Sequence, residues 1–284
     1  MFGSSLTEDL MCKIFLLPVF MLAFAVASWA GLTDMPQETL DPKQAFMAGG
    51  VMVKGEGAAP DKPISPAQKR MLALRAAKIT ALREVAEILN GVAVTGETTV
   101  KDAAASSDVV RTSVEGVVTG ARVVKEVYDP AAAMAAVYVT VPLQGIAGSL
   151  IPLLSGEVAM PPFQPAGAAS AMGYDGLIID ARELEMKPAL INRIITKGGE
   201  AIYDPSKVAR EVIASRGAAG YTSGIDEAMS ILAARGSKNP LVVKASGVVR
   251  GTDVELAPEE AVMVFSANQT GGFFEAARVV FVLN

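Results

Sequence analysis

Apolar residues recur at helical spacing from Ser65 to Gly91, in SPAQKRMLALRAAKITALREVAEILNG. Met71, Leu74, Ala77, Ala81, Leu82, Val85, Ile88 and Leu89 fall on one arc of a helical wheel, and polar residues fill the rest. The ends are marked as well. Ser65 suits the N-cap, Pro66 the first helical position and Gln68 the third position of a capping box, while Asn90-Gly91 supplies a left-handed stop. The alanines on the arc predict close approach of a flat partner, a sheet. Lys78 lies on the same arc, where a snorkelling stem at the edge of the packed face and a cation facing a ligand or carboxylate are the two readings. Leu72, Arg75 and Ile79 form a narrower second stripe, suited to another subunit or to covering the sheet rim.

Around this helix the period changes to two. Val51 to Gly57 predicts a strand leaving through a glycine turn, and Val92 to Val100 is a β-branched stretch with partial alternation. Lys101 to Asp108 is polar and turn-rich; Val109 to Gly116 fits a short helix or a strand. Val117 to Tyr128 predicts a strand bulged at Gly120, with Ala135 to Pro142 as its hairpin partner across the Asp129-Pro130 turn. A strand, a long helix and further adjacent strands predict an α+β fold, the helix laid across an antiparallel sheet. The second half predicts a separate α/β domain. Its strands are Gly176–Ala181, Ala189–Thr196, Ile202–Tyr203, Leu241–Val249, Val254–Leu256 and Ala277–Leu283. Its helices are Lys207–Arg216, stopped by Gly217, and Ile225–Arg235, stopped by Gly236. Pro258-Glu259-Glu260 opens a further helix unless Val262 to Phe265 continues as strand.

The segments VKGEGAAP, SPAQKRMLALRAAKITALREVAEILNGVAVTGETTV, VEGVVTGARVVKEVYDP and AAVYVTVPLQG together resemble the twenty-kilodalton outer-membrane lipoprotein family. That family is similar to the N-terminal domain of flagellar assembly protein T and to the flagellar outer-membrane basal-disk lipoprotein. The resemblance covers about residues 48–145. It implies a small α/β module of envelope proteins, often in ring- or disk-like assemblies, and it implies no catalytic residues. Many members carry a lipidation cysteine after the signal peptide; this chain has none there, which favours a soluble periplasmic product.

Lys13 followed by the apolar run Ile14 to Ala27, with Ser28-Trp29-Ala30 as a small-residue cleavage site, predicts a secretory signal peptide over 1–30. Glu8 and Asp9 do not suit a positive n-region, so Met1 and Met11 both stand as starts. The run is short for a membrane span. Residues 31–47 then form a polar, proline-punctuated mobile leader, 48–147 the lipoprotein-like domain, 148–174 a Pro/Gly/Ala linker and 175–284 the second domain.

Composition narrows the chemistry. Among 284 residues there is no histidine and one cysteine, Cys12, so the usual general base, pH switch and metal ligand are missing and no disulfide forms within one chain. The net charge is −5 and aromatics are 6%, which disfavours nucleic acid as a partner. Gly55-x-Gly57 lacks the third glycine of a dinucleotide loop. Ser223 in Tyr-Thr-Ser-Gly lacks the nucleophile-elbow pattern and reads as a helix cap, and Asp226-Glu227 complement a helix dipole. The best carboxylate group is Asp180, Glu183 and Glu185, beside Arg182 and Lys187 at a strand end; it could hold a small ligand or cation, or be a solvated loop whose charges neutralise one another. The expectation is a non-enzymatic structural or assembly protein of the periplasm, without cofactor, partnered by envelope proteins or itself; the resemblance adds a flagellar association. Peripheral membrane association stays open, and a small-ligand or cation-binding module is the alternative.

Overall fold

The glycines of the first strand set the geometry of the N-terminal region. In the computed structural model, which describes residues 36–154, 160–167 and 173–284, helix α1 (Pro42–Met47) leads into strand β1 (Gly50–Ala58) and the long helix α2 (Pro66–Gly91). A Cβ on Gly55 would lie 2.1 Å from the Ala77 carbonyl oxygen and 2.2 Å from the Ala81 amide nitrogen; one on Gly57 would lie 2.3 Å from the Ala77 nitrogen. The α2 backbone therefore rests on the strand backbone, and only glycine over alanine permits that separation. The buried stripe is Ala73, Ala77, Ala81, Val85 and Leu89, a strict i, i+4 row. The capping box forms as expected: Gln68 N–H donates to Ser65 Oγ at 3.2 Å, and Ser65 N–H to Gln68 Oε1 at 3.0 Å. One expectation for this helix is corrected: Met71 is 62% exposed, because the packed row begins at Ala73. Lys78 faces solvent, as a stem at the edge of the packed face would.

Helices α3 (Val100–Ser106) and α4 (Asp108–Thr119) follow, then β2 (Arg122–Asp129), β3 (Met134–Pro142) and α5 (Leu143–Leu154). The sheet is antiparallel, in the order β1-β3-β2. Residues 92–100 do not join it and make only an isolated bridge between Ala93 and Thr99. The polar stretch expected as turns is α3, started by a Thr99–Asp102 capping box. Gly120 ends α4 rather than bulging a strand; the bulge lies between Val123 and Lys125.

The C-terminal region contains β4 (Gly176–Asp180), β5 (Ile194–Thr196), β6 (Ala201–Tyr203), α6 (Arg210–Arg216), β7 (Gly220–Thr222), α7 (Ile225–Ala234), β8 (Pro240–Lys244), β9 (Gly247–Val249), β10 (Asp253–Leu256), α8 (Pro258–Gly271) and β11 (Val279–Val282). One sheet, β7-β11-β4-β8, is wholly parallel. Its inner strands GLIID and VVFV are apolar on both faces, since α7 covers one side through Ala228 and Leu232 and the main core fills the other. The second sheet, β6-β5-β10-β9, is mixed. The fold is thus α+β, with two domain-like regions.

These regions share one core, and residues 36–284 form one compact unit. Three joints among the described residues stand out. Helix α5 buries Leu143, Ile146, Leu150, Ile151 and Leu154, and a Cβ on its Gly148 would be 2.9 Å from Ala214 Cα in α6. The linker expected from residue 148 therefore starts as packed helix; Pro152 lies inside its last turn, where it withholds the amide bond to the carbonyl four residues back, and the helix ends two residues later at Leu154. At the second joint, Leu190 and Ile191 N–H donate to the Ala93 and Val94 carbonyls, each at 2.9 Å. The third joint is Phe46 of α1, 3% exposed, whose ring meets Tyr221 of β7 edge-on at 5.1 Å. The described part of the expected mobile leader is thus docked: Thr39 N–H also donates to the Met52 carbonyl at 2.7 Å. The expected signal peptide, its cleavage site near Ala30, both candidate starts and Cys12 lie outside the described residues.

Candidate functional site

Asp180 closes β4 at the carboxyl end of the parallel sheet, and the chain turns there into the 181–188 loop. Both Asp180 oxygens are taken by one neighbour: Arg182 Nε donates to Oδ1 at 2.9 Å and Nη2 to Oδ2 at 2.7 Å, with the Arg182 amide adding a bond to Oδ1 at 3.2 Å. The Arg182 hydrogen bonds hold the Asp180 carboxyl below the usual carboxylate range, against the opposing effect of partial burial. Glu183 instead reaches Lys244 Nζ at 2.7 Å, across to the end of β8. Glu185 points elsewhere, into a cleft. The three carboxylates named by the sequence therefore do not converge; two are matched by cations, Asp180 by Arg182 of the loop and Glu183 by Lys244 of β8. Among the described residues no group of three or more Asp, Glu, Cys or His side chains is arranged to hold a metal ion.

The cleft that Glu185 lines has a volume of about 790 Å³. Its walls are Pro42, Lys43 and Phe46 of α1, Gly91 at the end of α2, and Leu184 to Pro188. The apolar walls carry exposed Lys43, Glu185 and Lys187. Lys43 Nζ donates to the Asn284 carbonyl at 2.8 Å. This chemistry suits a small amphipathic molecule better than a bare cation, because the walls are largely apolar and Glu185 is the one acidic side chain among them, beside Lys187 and the bonded Lys43.

A buried polar network that the sequence did not announce fixes the loop behind the cleft. Asn192 Oδ1 lies 2.6 Å from the Ala189 amide and 2.6 Å from Tyr221 Oη, and Asn192 Nδ2 donates to the Lys187 and Thr252 carbonyls. Residues 189–193, expected as strand, are held irregular by these bonds; pairing begins only at Ile194. Beside it Arg193, with its side chain 4% exposed, pairs with Asp204 at 3.3 Å, and its amide donates to Asp253 Oδ1 at 3.0 Å. Burial pushes the Asp253 carboxyl above its ordinary range, partly countered by the Arg193 amide and guanidinium. Thr252 Oγ1 is the buried side-chain atom that finds no hydrogen-bond partner among the described residues. No spacing rule links positions 192–193, 204, 221 and 252–253, so only the fold brings them together.

The remaining candidates are plain. Leu72 is half-buried, while Arg75 and Ile79 lie on the solvent side of α2, Ile79 at 44% exposure. Ser223 does not cap α7; Gly224 occupies the N-cap, and Thr222 Oγ1 instead bonds the Glu227 carboxylate. No described helix is long and apolar enough to cross a membrane.

Comparison with known proteins gives one match within the C-terminal region. A family model described as the second domain of Treponema pallidum Tp0624 matches residues 176–284, from the first residue of β4 to Asn284. No curated protein matches the chain.

Proposed function

We propose that this chain is a non-enzymatic structural or assembly protein of the bacterial cell envelope, exported to the periplasm and working beside other envelope proteins or further copies of itself. One observation carries the reading: the two regions are joined into one block by shared core, by α5 and by backbone hydrogen bonds at 93–94 and 190–191, while β2 of the N-terminal sheet has an edge that no strand among the described residues covers. A rigid block with an open edge suits a part that is held in place by neighbours. The 14–27 apolar run and the resemblance of residues 48–145 to envelope lipoproteins support the location and the class. In-cell crosslinking of the tagged protein, with N-terminal sequencing of the recovered product, tests this. The expected result is a chain processed near Ala30 and crosslinked to envelope proteins or itself. An unprocessed cytosolic chain without neighbours would overturn it. The flagellar version fails separately if a strain lacking the gene swims normally and keeps an intact flagellar base.

The cleft favours a second reading, a module that holds a small amphipathic ligand between α1 and the 184–188 loop. Thermal-shift screening of anionic amphiphiles, with Lys187→Ala as control, tests it. A stabilising compound whose effect vanishes in the variant would support it; no shift across the screen would remove it.

A further inference from the structure

Strand β2 ends the N-terminal sheet, and no strand among the described residues pairs with its outer edge. Its burial follows that position: Val124 is 45% exposed and Val127 42%, and Glu126 and Asp129 are exposed. An open edge carries a row of backbone donors and acceptors and recruits another strand unless the sequence prevents it. The bulge between Val123 and Lys125 confines regular pairing geometry to residues 125–129, Lys-Glu-Val-Tyr-Asp.

That segment selects its own partner. When a strand pairs antiparallel with a copy of itself, the two-fold axis stands perpendicular to the sheet and paired residues share a face, so the axis must pass through a residue. An axis at Lys125 sets lysine against lysine, and an axis at Glu126 sets glutamate against glutamate. An axis at Val127 sets Val127 on Val127, Lys125 opposite Asp129 twice, and Glu126 opposite Tyr128 twice. The faces agree with the observed register: Lys125, Val127 and Asp129 lie opposite Tyr138, Ala136 and Met134 on one face of the sheet, and Glu126 and Tyr128 lie opposite Val137 and Ala135 on the other. Among the described residues Asp129 accepts the Ala131 and Ala132 amides through Oδ1, which leaves Oδ2 for this role.

We propose that β2 is a self-association edge, pairing antiparallel with β2 of a second copy about Val127 to make one continuous six-stranded sheet. Five paired residues bury little surface, so the dimer is weak and forms at high local concentration. The inference stands on strand geometry and extends the assembly reading by naming a second copy as one neighbour. The two fail separately, because crosslinking in the cell reports neighbours of any kind and the experiment below reports only this edge.

Sedimentation velocity of the purified protein over a concentration series tests it, with circular dichroism to confirm folding of each variant. Wild type is expected to shift reversibly from monomer to dimer. Lys125→Asp and Asp129→Lys, each alone, place like charges across the edge and weaken the dimer by about tenfold. An equimolar mixture of the two single variants restores it as a heterodimer, because every cross-strand pair is again of opposite sign. In a Cys12→Ala background, Val127→Cys forms an intermolecular disulfide under oxidation and Glu126→Cys does not, since only position 127 faces itself. A wild type that stays monomeric at every concentration overturns the proposal. Dimerisation that neither charge variant weakens, or that the mixture fails to restore, overturns it equally.

Discussion

The two main sheets of this molecule reach tight packing by opposite means. In the antiparallel sheet, contact is backbone to backbone: Gly55 and Gly57 lie under Ala73, Ala77 and Ala81, and there is no room for one further carbon. In the parallel sheet, contact is made by volume: Ile178, Ile179, Val280 and Phe281 are fully buried, and Phe281 stacks on Tyr221 at 5.8 Å. The first interface tolerates no addition and the second no removal. Packing density is the same requirement in both, met once by absent side chains and once by large ones.

The contrast predicts opposite responses to opposite substitutions. Phe281→Ala leaves a cavity at the centre of the parallel sheet and is expected to cost about 4 kcal/mol, read as a fall in the urea midpoint at unchanged slope. Gly55→Ala removes nothing, yet is expected to cost about 3 kcal/mol by driving α2 off β1. If Gly55→Ala is neutral while Phe281→Ala is severe, the close-approach account of the antiparallel sheet is wrong. Asp175, at the threshold of β4, sharpens the comparison further. Desolvation raises its pKa, but bonds from Ser237 Oγ at 2.6 Å and from the Asn239 and Lys238 amides outweigh it and hold the group below 3.8. A depressed folded pKa gives stability that is present above 3.8 and is lost as pH falls through the folded value. Asp175→Ala should therefore cost about 1.5 kcal/mol at pH 7 and less in acid.

Asp253 has the reverse sign. Its raised folded pKa means that its contribution is greatest below 3.8 and is lost as pH rises through the folded value. Asp253→Asn keeps an acceptor for the Arg193 amide. Relative to wild type its melting temperature should rise as pH increases from 4 toward neutrality, a trend opposite to that of Asp175→Ala. The smallest effect belongs to the outer face of α2: Ile79→Ala should change stability by no more than about 0.5 kcal/mol, since the side chain is 44% exposed.

The legible parts of this fold are those where local chemistry and tertiary packing agree. The Ser65–Gln68 box, the row of alanines and the doubly apolar β4 and β11 could be read because each signal lies within a short window of residues. Helix α1 was missed because six residues show no period and Phe46 is buried by a strand 175 positions away. Helix α5 reads as the start of a linker because Pro152 and four small residues, Gly145, Ala147, Gly148 and Ser149, outweigh its leucines, and its partner helix α6 is distant in sequence. At the candidate loop, charge was visible but pairing was not: that Glu183 meets Lys244, 61 residues on, follows only from the neighbouring positions of β4 and β8. Asn192, Arg193, Tyr221 and Asp253 give no sequence signal because each is an ordinary polar residue until burial makes its bonds obligatory.

Helix α5 also decides how this protein can be dissected. A chain divided at the proline-rich stretch looks like two tidy halves on paper. The cut would strip α6 from α5, where Gly148 lies against Ala214, and would leave that face of the helix in water on the N-terminal fragment. The C-terminal fragment, for its part, would lose Phe46 from the ring of Tyr221. Expressed apart, each piece would present a sticky surface and be prone to aggregate; co-expressed, the two would be expected to find one another again.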